Sequence, residues 1–297
     1  MEINIEDIKC IKTITDHTDK VYSLLLLKNK RIASCSLDNT IRIYDPSNDY
    51  HCAQMLKRHI RGITLICTLD DGTIVSCSND KSIMIGNYPI KNAHDEVISK
   101  VISLPNNRIA SCSDSHDNTI KIWKSDPPYT DTPIKILEGH NHFVWSLLYI
   151  KERDIMISGS YYISLLLLWN MSAYQCETVI KGVECAWSNS LYQIDKDRVI
   201  VGAWNTFSIV NMDKCIIEKT VIEKSLGNVL CFLKLRDKNN ILCGCSNRTF
   251  CLYDMNTGQY KTSKDNQIDY IINDFVLIDD NTFLSSSNNK TIKVWKY

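Results

Sequence analysis

The chain carries no excess charge of either sign. Its 297 residues hold 34 Lys and Arg against 34 Asp and Glu. Without a basic surplus there is no broad electrostatic footprint for nucleic acid or for an anionic membrane surface. Long apolar runs are missing too. Stretches such as Ile163 to Trp169 fall far short of the roughly 20 residues that a bilayer-spanning helix needs. The N-terminus, MEINIEDI, is acidic and has no apolar segment of the kind that marks a secretion signal. Cysteine is not scarce, at 13, yet no two stand as C-x-x-C and no Cys/His group has zinc-ligand spacing. Cys35, Cys77 and Cys112 each lie between two serines, and Cys243 and Cys245 alternate along another strand. Scattered thiols in odd number fit small buried side chains in a reducing compartment. The expectation is therefore an intracellular protein of the cytoplasm, with the nucleus open, holding no metal and no cofactor and inserting in no membrane.

What the chain has is self-similarity. RIASCSLDNTIRIYD (31–45), TIVSCSNDKSIMIGN (73–87), RIASCSDSHDNTIKIWK (108–124) and TFLSSSNNKTIKVWK (282–296) each read as a strand, a short polar turn and a second strand of alternating apolar residues. Weaker copies are DIMISGSYYISLLLLWN (154–170), RVIVGAWNTFSIVN (198–211) and NILCGCSNRTFCLYD (240–254). The residue closing each second strand is Tyr44, Gly86, Trp123, Trp169, Val210, Tyr253 or Trp295, a period of about 42 residues. A histidine (His17, His59, His94, His140) precedes the first four of these by 27 to 29 residues.

A near-constant His-to-Trp gap inside such a period resembles the WD-repeat (G-protein β subunit-like) β-propeller family, over essentially the whole chain. The resemblance implies an all-β fold: a seven-bladed propeller, four antiparallel strands per blade, forming a single domain over 1–297. The last repeat ends at Tyr297 on its third strand, while IKCIKTIT (8–15) has strand alternation ahead of the first histidine. That N-terminal segment is expected to complete the last blade, which would leave the ring without an unpaired edge at its seam.

His94, Asp117 and Ser111 could pass for a catalytic triad. Recurrence argues against it, because an active site occurs once and a framework occurs in every blade. His17, Asp38 and Tyr44 repeat the set with Tyr for Trp, and His140 and Trp169 repeat it without the Asp. The family resemblance makes His17, Asp38, His59, His94, Ser111, Asp117, Trp123, His140, Trp169 and Trp295 parts of a structural hydrogen-bond network, and the protein not an enzyme. Repeats five to seven lack the histidine, so blade five, with Val210 in the Trp place, is expected to be the least stable.

In this family partners commonly use the face lined by the turns between second and third strands and by the starts of first strands. Counting back from the matched second strands assigns first-strand positions that include Lys20, Tyr22, Thr64, Val97, Ser99, Phe143, Trp145, Trp187 and Asn189. The turn positions include Leu37, Asn79, His116, Tyr162 and Trp204. Phe143, Trp145, Tyr162, Trp187 and Trp204 fall in blades four and five, where exposed aromatics would form a binding patch. Lys20 and Arg61 are among the few basic residues on that face, too few to gather a phosphopeptide. The resulting expectation is a scaffold or adaptor that binds other proteins or peptides and no nucleic acid. It would be a monomer by itself, working within a larger complex. The alternative is a peptide-reading subunit of a ubiquitin ligase or chromatin complex, which calls for a peptide-sized pocket at the mouth of the central channel.

Overall fold

The structure, a computed structural model, describes all residues except 1–2, 115–117, 161–163, 186–188, 238 and 264–269. It consists of seven four-stranded antiparallel sheets. The innermost strands, in chain order, are Val21–Leu26, Ile63–Thr68, Ile98–Leu104, Val144–Ile150, Leu191–Gln193, Val229–Lys234 and Ile272–Leu277. Among the described residues the only helical segments are three 3-10 turns, at Ile5–Asp7, Pro46–Asn48 and Lys151–Arg153. The predicted closure is present: Lys9–Ile14 pairs antiparallel with Ile292–Lys296, placing Cys10 opposite Trp295 and Ile14 opposite Ile292.

Burial follows radius within a blade. Second strands such as Ile32–Ser36 are buried along their whole length, whereas the outer strand His51–Lys57 is largely exposed. A second strand has a neighbouring blade on each face, so both of its faces are apolar or small, and this accounts for the I-A-S-C-S pattern. The core accordingly lies between blades. Cys112, Ile120 and Ile122 of blade three pack with Leu147, Met156, Leu167 and Trp169 of blade four. Gly202 shows how close blades five and six come, since a Cβ there would run into the Val229 carbonyl oxygen.

The turn between second and third strands repeats in detail. Asp38 Oδ1 accepts from the Thr40 amide at 2.9 Å and its hydroxyl at 2.6 Å, with Asn39 between them at φ 68°. Asp80–Ser82, Asn247–Thr249 and Asn289–Thr291 build the same turn. Their middle residues, Lys81, Arg248 and Lys290, are also left-handed. A non-glycine residue there costs about 1–2 kcal/mol, which the paired side-chain bonds to the turn offset.

Candidate binding face

Six inner strands carry a register shift at the same place, one residue into the strand, between Val21 and Ser23, Ile63 and Leu65, Ile98 and Lys100, Val144 and Ser146, Val229 and Cys231, and Ile272 and Asp274. Each bulge leaves one residue unpaired and re-aims its side chain: Tyr22, Thr64, Ser99, Trp145, Leu230 or Asn273. Three of these stitch neighbouring blades together. Thr64 donates its hydroxyl proton to the Ile98 carbonyl (2.6 Å), Ser99 to the Val144 carbonyl (2.9 Å), and Asn273 donates its amide to the Val21 carbonyl (2.8 Å). The accepting carbonyl in every case belongs to the residue just before the next blade's bulge.

Where the bulge residue is Tyr22 or Trp145, the ring instead forms a wall. A cavity of about 280 Å³ opens among Tyr22, Thr64, Asn79, Ser99, Asp114 and Trp145, contributed by blades one to four. The Trp145 indole N–H donates to Asp114 Oδ1 at 3.1 Å, and the Asp114 amide is held by the Val97 carbonyl at 3.0 Å. Burial, then the charge of Asp19, raises the Tyr22 phenol above its usual pKa and keeps it protonated.

Deeper in the channel lies a cavity of about 370 Å³ lined in part by Ser23, Lys100, Asn189 and Asp274. Lys100 reaches across from blade three to donate to Asn189 Oδ1 of blade five at 2.6 Å. Asp274 of blade seven accepts from the Ser23 hydroxyl (3.0 Å) and the Leu24 amide (2.9 Å) of blade one. Burial pushes the Asp274 carboxyl up to about 6, against the Leu24 bond and the Lys100 charge, which favour the anion. Burial also lowers the Lys100 amine below the ordinary lysine range.

The Ser/His groups lie inside the blades. His17, His59, His94 and His140 meet Ser34, Ser76, Ser111 and Ser158 through Nε2 at 2.6–2.9 Å. Trp123, Trp169 and Trp295 donate indole N–H groups to Ser111, Ser158 and Ser285, each at 2.8 Å. Asp38 and Asp80 accept at the Nδ1 of His17 (2.7 Å) and His59 (3.0 Å), which fixes the proton on Nδ1 and leaves Nε2 to accept from the serine hydroxyl. Burial alone would raise these two carboxyls. Hydrogen bonds from the His and from Thr40 or Ser82 outweigh it and hold both well below the usual range. Among the described residues His140 has no acid beside it and its Nδ1 has no hydrogen-bond partner, and burial lowers its pKa to about 4. The five serines are buried, so no substrate reaches a hydroxyl. The thiols of Cys77, Cys112 and Cys185 are pushed up to about 12 by burial, which keeps them un-ionised. Among the described residues no cluster of His, Cys, Asp and Glu could hold a metal ion, and no helix is long and apolar enough to cross a membrane.

The WD domain, G-beta repeat model matches residues 8–45, 88–124 and 264–296. The WD40 β-propeller domain of Doa1 superposes with a TM-score of 0.76 at 17% identity, covering 97% of both chains. The chain thus carries WD repeats and has the fold of a WD40 β-propeller. A ribosome biogenesis protein WDR12 homolog of Nematostella vectensis is 27% identical over 163 residues, which is 50% of this propeller and 38% of that protein. EARP and GARP complex-interacting protein 1 of Rattus norvegicus is 33% identical over 100 residues, covering 33% and 24% respectively. The matched part of this WD-repeat chain thus spans well under half the length of either relative.

Within the propeller, Lys20 and Arg61 are exposed, and Tyr22, Phe143 and Trp145 are half-buried. Trp204 is 61% exposed. Tyr162, Trp187 and Asp117 lie outside the described residues. Of the patch expected over blades four and five, Phe143, Trp145 and Trp204 lie among the described residues. Its bulge turns Trp145 toward Asp114 of blade three and into a cavity shared with Tyr22 of blade one, while Trp204 stands on blade five. The turn position of blade three also differs from the expected His116, which is likewise outside the described residues. Asp114 makes the bond to Val97 that Leu37 makes to Lys20 and Asn79 to Gly62. The blade-three turn, SCSDSHDNT, is two residues longer than SCSLDNT, so counting back from the third strand stops two residues short. Lys100 and Asp274 were missed as well. The available signal was a charge at the residue after the bulge, where other blades carry Ser23, Leu65 or Cys231.

Proposed function

We propose that the protein is a non-enzymatic interaction scaffold, residues 1–297 acting as one propeller that takes its partners on the face bearing the bulges and the second-to-third-strand turns. The observation that supports it is the concentration of aromatic surface there: Trp204 at 61% exposure and a mouth cavity walled by Tyr22 and Trp145. Large aromatics at solvent-facing positions are the side chains that most often anchor protein interfaces. The serines of the framework are sealed in the blades, which favours binding over catalysis. One relative is named for interacting with the EARP and GARP complexes and another for ribosome biogenesis. Those names support protein partners, and the reading takes the chain as a monomeric subunit of an assembly in the cytoplasm or nucleus.

A second reading, a peptide-reading recruitment subunit, is favoured by the cavity itself. Its volume of about 280 Å³ lies at the lower edge of ligand pockets, which run from ~300 Å³ upward; that suits one large side chain. Affinity purification with mass spectrometry, comparing wild type with a folded Trp145→Ala/Trp204→Ala variant, tests the face. Loss of the wild-type partners is expected, and full recovery of them by the variant would refute it.

A further inference from the structure

We propose that the mouth cavity receives a single basic side chain, lysine or arginine, from a partner polypeptide, with Asp114 as its counter-ion and Trp145 and Tyr22 as its walls. This rests on the interaction-face reading above and names the chemistry of the occupant.

The argument starts from the acid. Asp114 is the one charged residue among the described lining residues, and among the described turn equivalents (Leu37, Asn79, Trp204, Ser246, Asn288) no other is ionisable. Its backbone amide is committed to Val97 and its Oδ1 accepts from the Trp145 indole, while Oδ2 has no partner among the described residues. A carboxylate oxygen facing a cavity needs a hydrogen-bond donor or water. An apolar occupant would strip that water without replacing it, and an acidic one would add repulsion; both are disfavoured. A cation supplies donors and charge together.

The walls favour the same occupant. The Trp145–Asp114 bond fixes the indole, the best aromatic surface for a cation, and Tyr22 adds a second ring to the lining. Val97 and the Thr64 carbons offer apolar contact for the methylene stem of Lys or Arg. The Thr64 and Ser99 hydroxyl protons are already given to the Ile98 and Val144 carbonyls, so these groups present acceptors to an incoming donor. Lys20 and Arg61, the cations of this face in blades one and two, are exposed and are not among the lining residues, so neither occupies the carboxylate.

The test is a titration of the full chain with N-acetyl-arginine amide, N-acetyl-lysine amide, the neutral isostere N-acetyl-citrulline amide and N-acetyl-glutamate amide, read from the Trp145 indole N–H signal by NMR. The expected result is saturable binding of the two cations at least about ten-fold tighter than citrulline, with no response to glutamate. Asp114→Asn keeps an acceptor for Trp145 and should bring arginine and citrulline to equal affinity. Equal binding of arginine and citrulline by wild type, an unchanged preference in Asp114→Asn, or no response to either cation would overturn the proposal. The partner-recovery experiment is independent. If Trp145→Ala/Trp204→Ala loses its partners while the amides show no charge preference, the basic-side-chain proposal falls and the face stands. If the cations bind with Asp114 dependence but partner recovery is unchanged, the interaction-face reading falls.

Discussion

His140 should make blade four acid-sensitive in a way that can be isolated. Its Nε2 bonds Ser158, its Nδ1 has no partner among the described residues, and burial lowers its pKa from 6.5 to about 4. A depressed histidine pKa means that the unfolded chain binds the proton more readily than the folded one. The neutral form is fully favoured above the unfolded value near 6.5, and stability is lost as pH falls from there toward 4. A difference of about 2.5 pKa units corresponds to roughly 3 kcal/mol in total, of which about 2 kcal/mol is lost by pH 5. Asp274, raised to about 6, works in the opposite sense: the folded state binds its proton more readily, and that contribution fades as pH rises through 6. The comparison must therefore be made against a His140→Gln variant, in which every other group is common to both proteins. Urea unfolding monitored by tryptophan fluorescence at pH 7, 6 and 5 should show the wild type's advantage over the variant shrinking by about 2 kcal/mol. A pH-independent difference, or an NMR titration of His140 centred near 6.5, would show that the ring is not desolvated as described.

Ser111→Ala orphans the buried Trp123 indole N–H and removes the Ser111 hydroxyl from His94 Nε2, for a loss of about 2–4 kcal/mol. Ser285→Ala orphans Trp295 alone and should cost about 1–2 kcal/mol. Equal losses in thermal or chemical unfolding would refute this account. Thr64→Val keeps the shape but removes the bond to the Ile98 carbonyl, at a cost of about 1–2 kcal/mol in urea unfolding, and an unchanged midpoint would mean the stitch is dispensable. Blade five has a three-residue inner strand, Leu191–Gln193, and Val210 in place of Trp. Its amides should exchange faster in native-state hydrogen exchange than those of Ile98–Leu104, and the reverse order would overturn the expectation that this blade is the least stable.

The fold was legible because its instructions are local and repeated. The S-C-S second strands, the polar turns with a left-handed middle residue and the buried ring at Tyr44, Trp123, Trp169 and Trp295 recur at fixed spacing. Val210 could be placed in register opposite Val199 even without an aromatic. The candidate site was legible only in part. The bulge positions Tyr22, Thr64, Ser99 and Trp145 could be located by counting, but which way a bulged side chain turns depends on the neighbouring blade. Trp145 points as it does because Asp114 waits across the blade boundary, a non-local fact. Asp114 itself was hidden by the longer turn of blade three. Lys100 and Asn189 are 89 residues apart, and nothing local in either segment announces that they meet across the channel.

The closing sheet sets an order of events. Of the described strands Lys9–Ile14 is made before all the others, yet its partner, Ile292–Lys296, is made after them. At synthesis rates of about 5–20 residues per second, the first strand waits on the order of tens of seconds with its amides uncommitted. During that interval Lys9–Ile14 is an unpaired strand able to pair with another molecule. The charges on Lys9 and Lys12 repel like copies in that period. The seam therefore acts as a timer, and a nascent chain becomes safe from its neighbours only once its final strand appears.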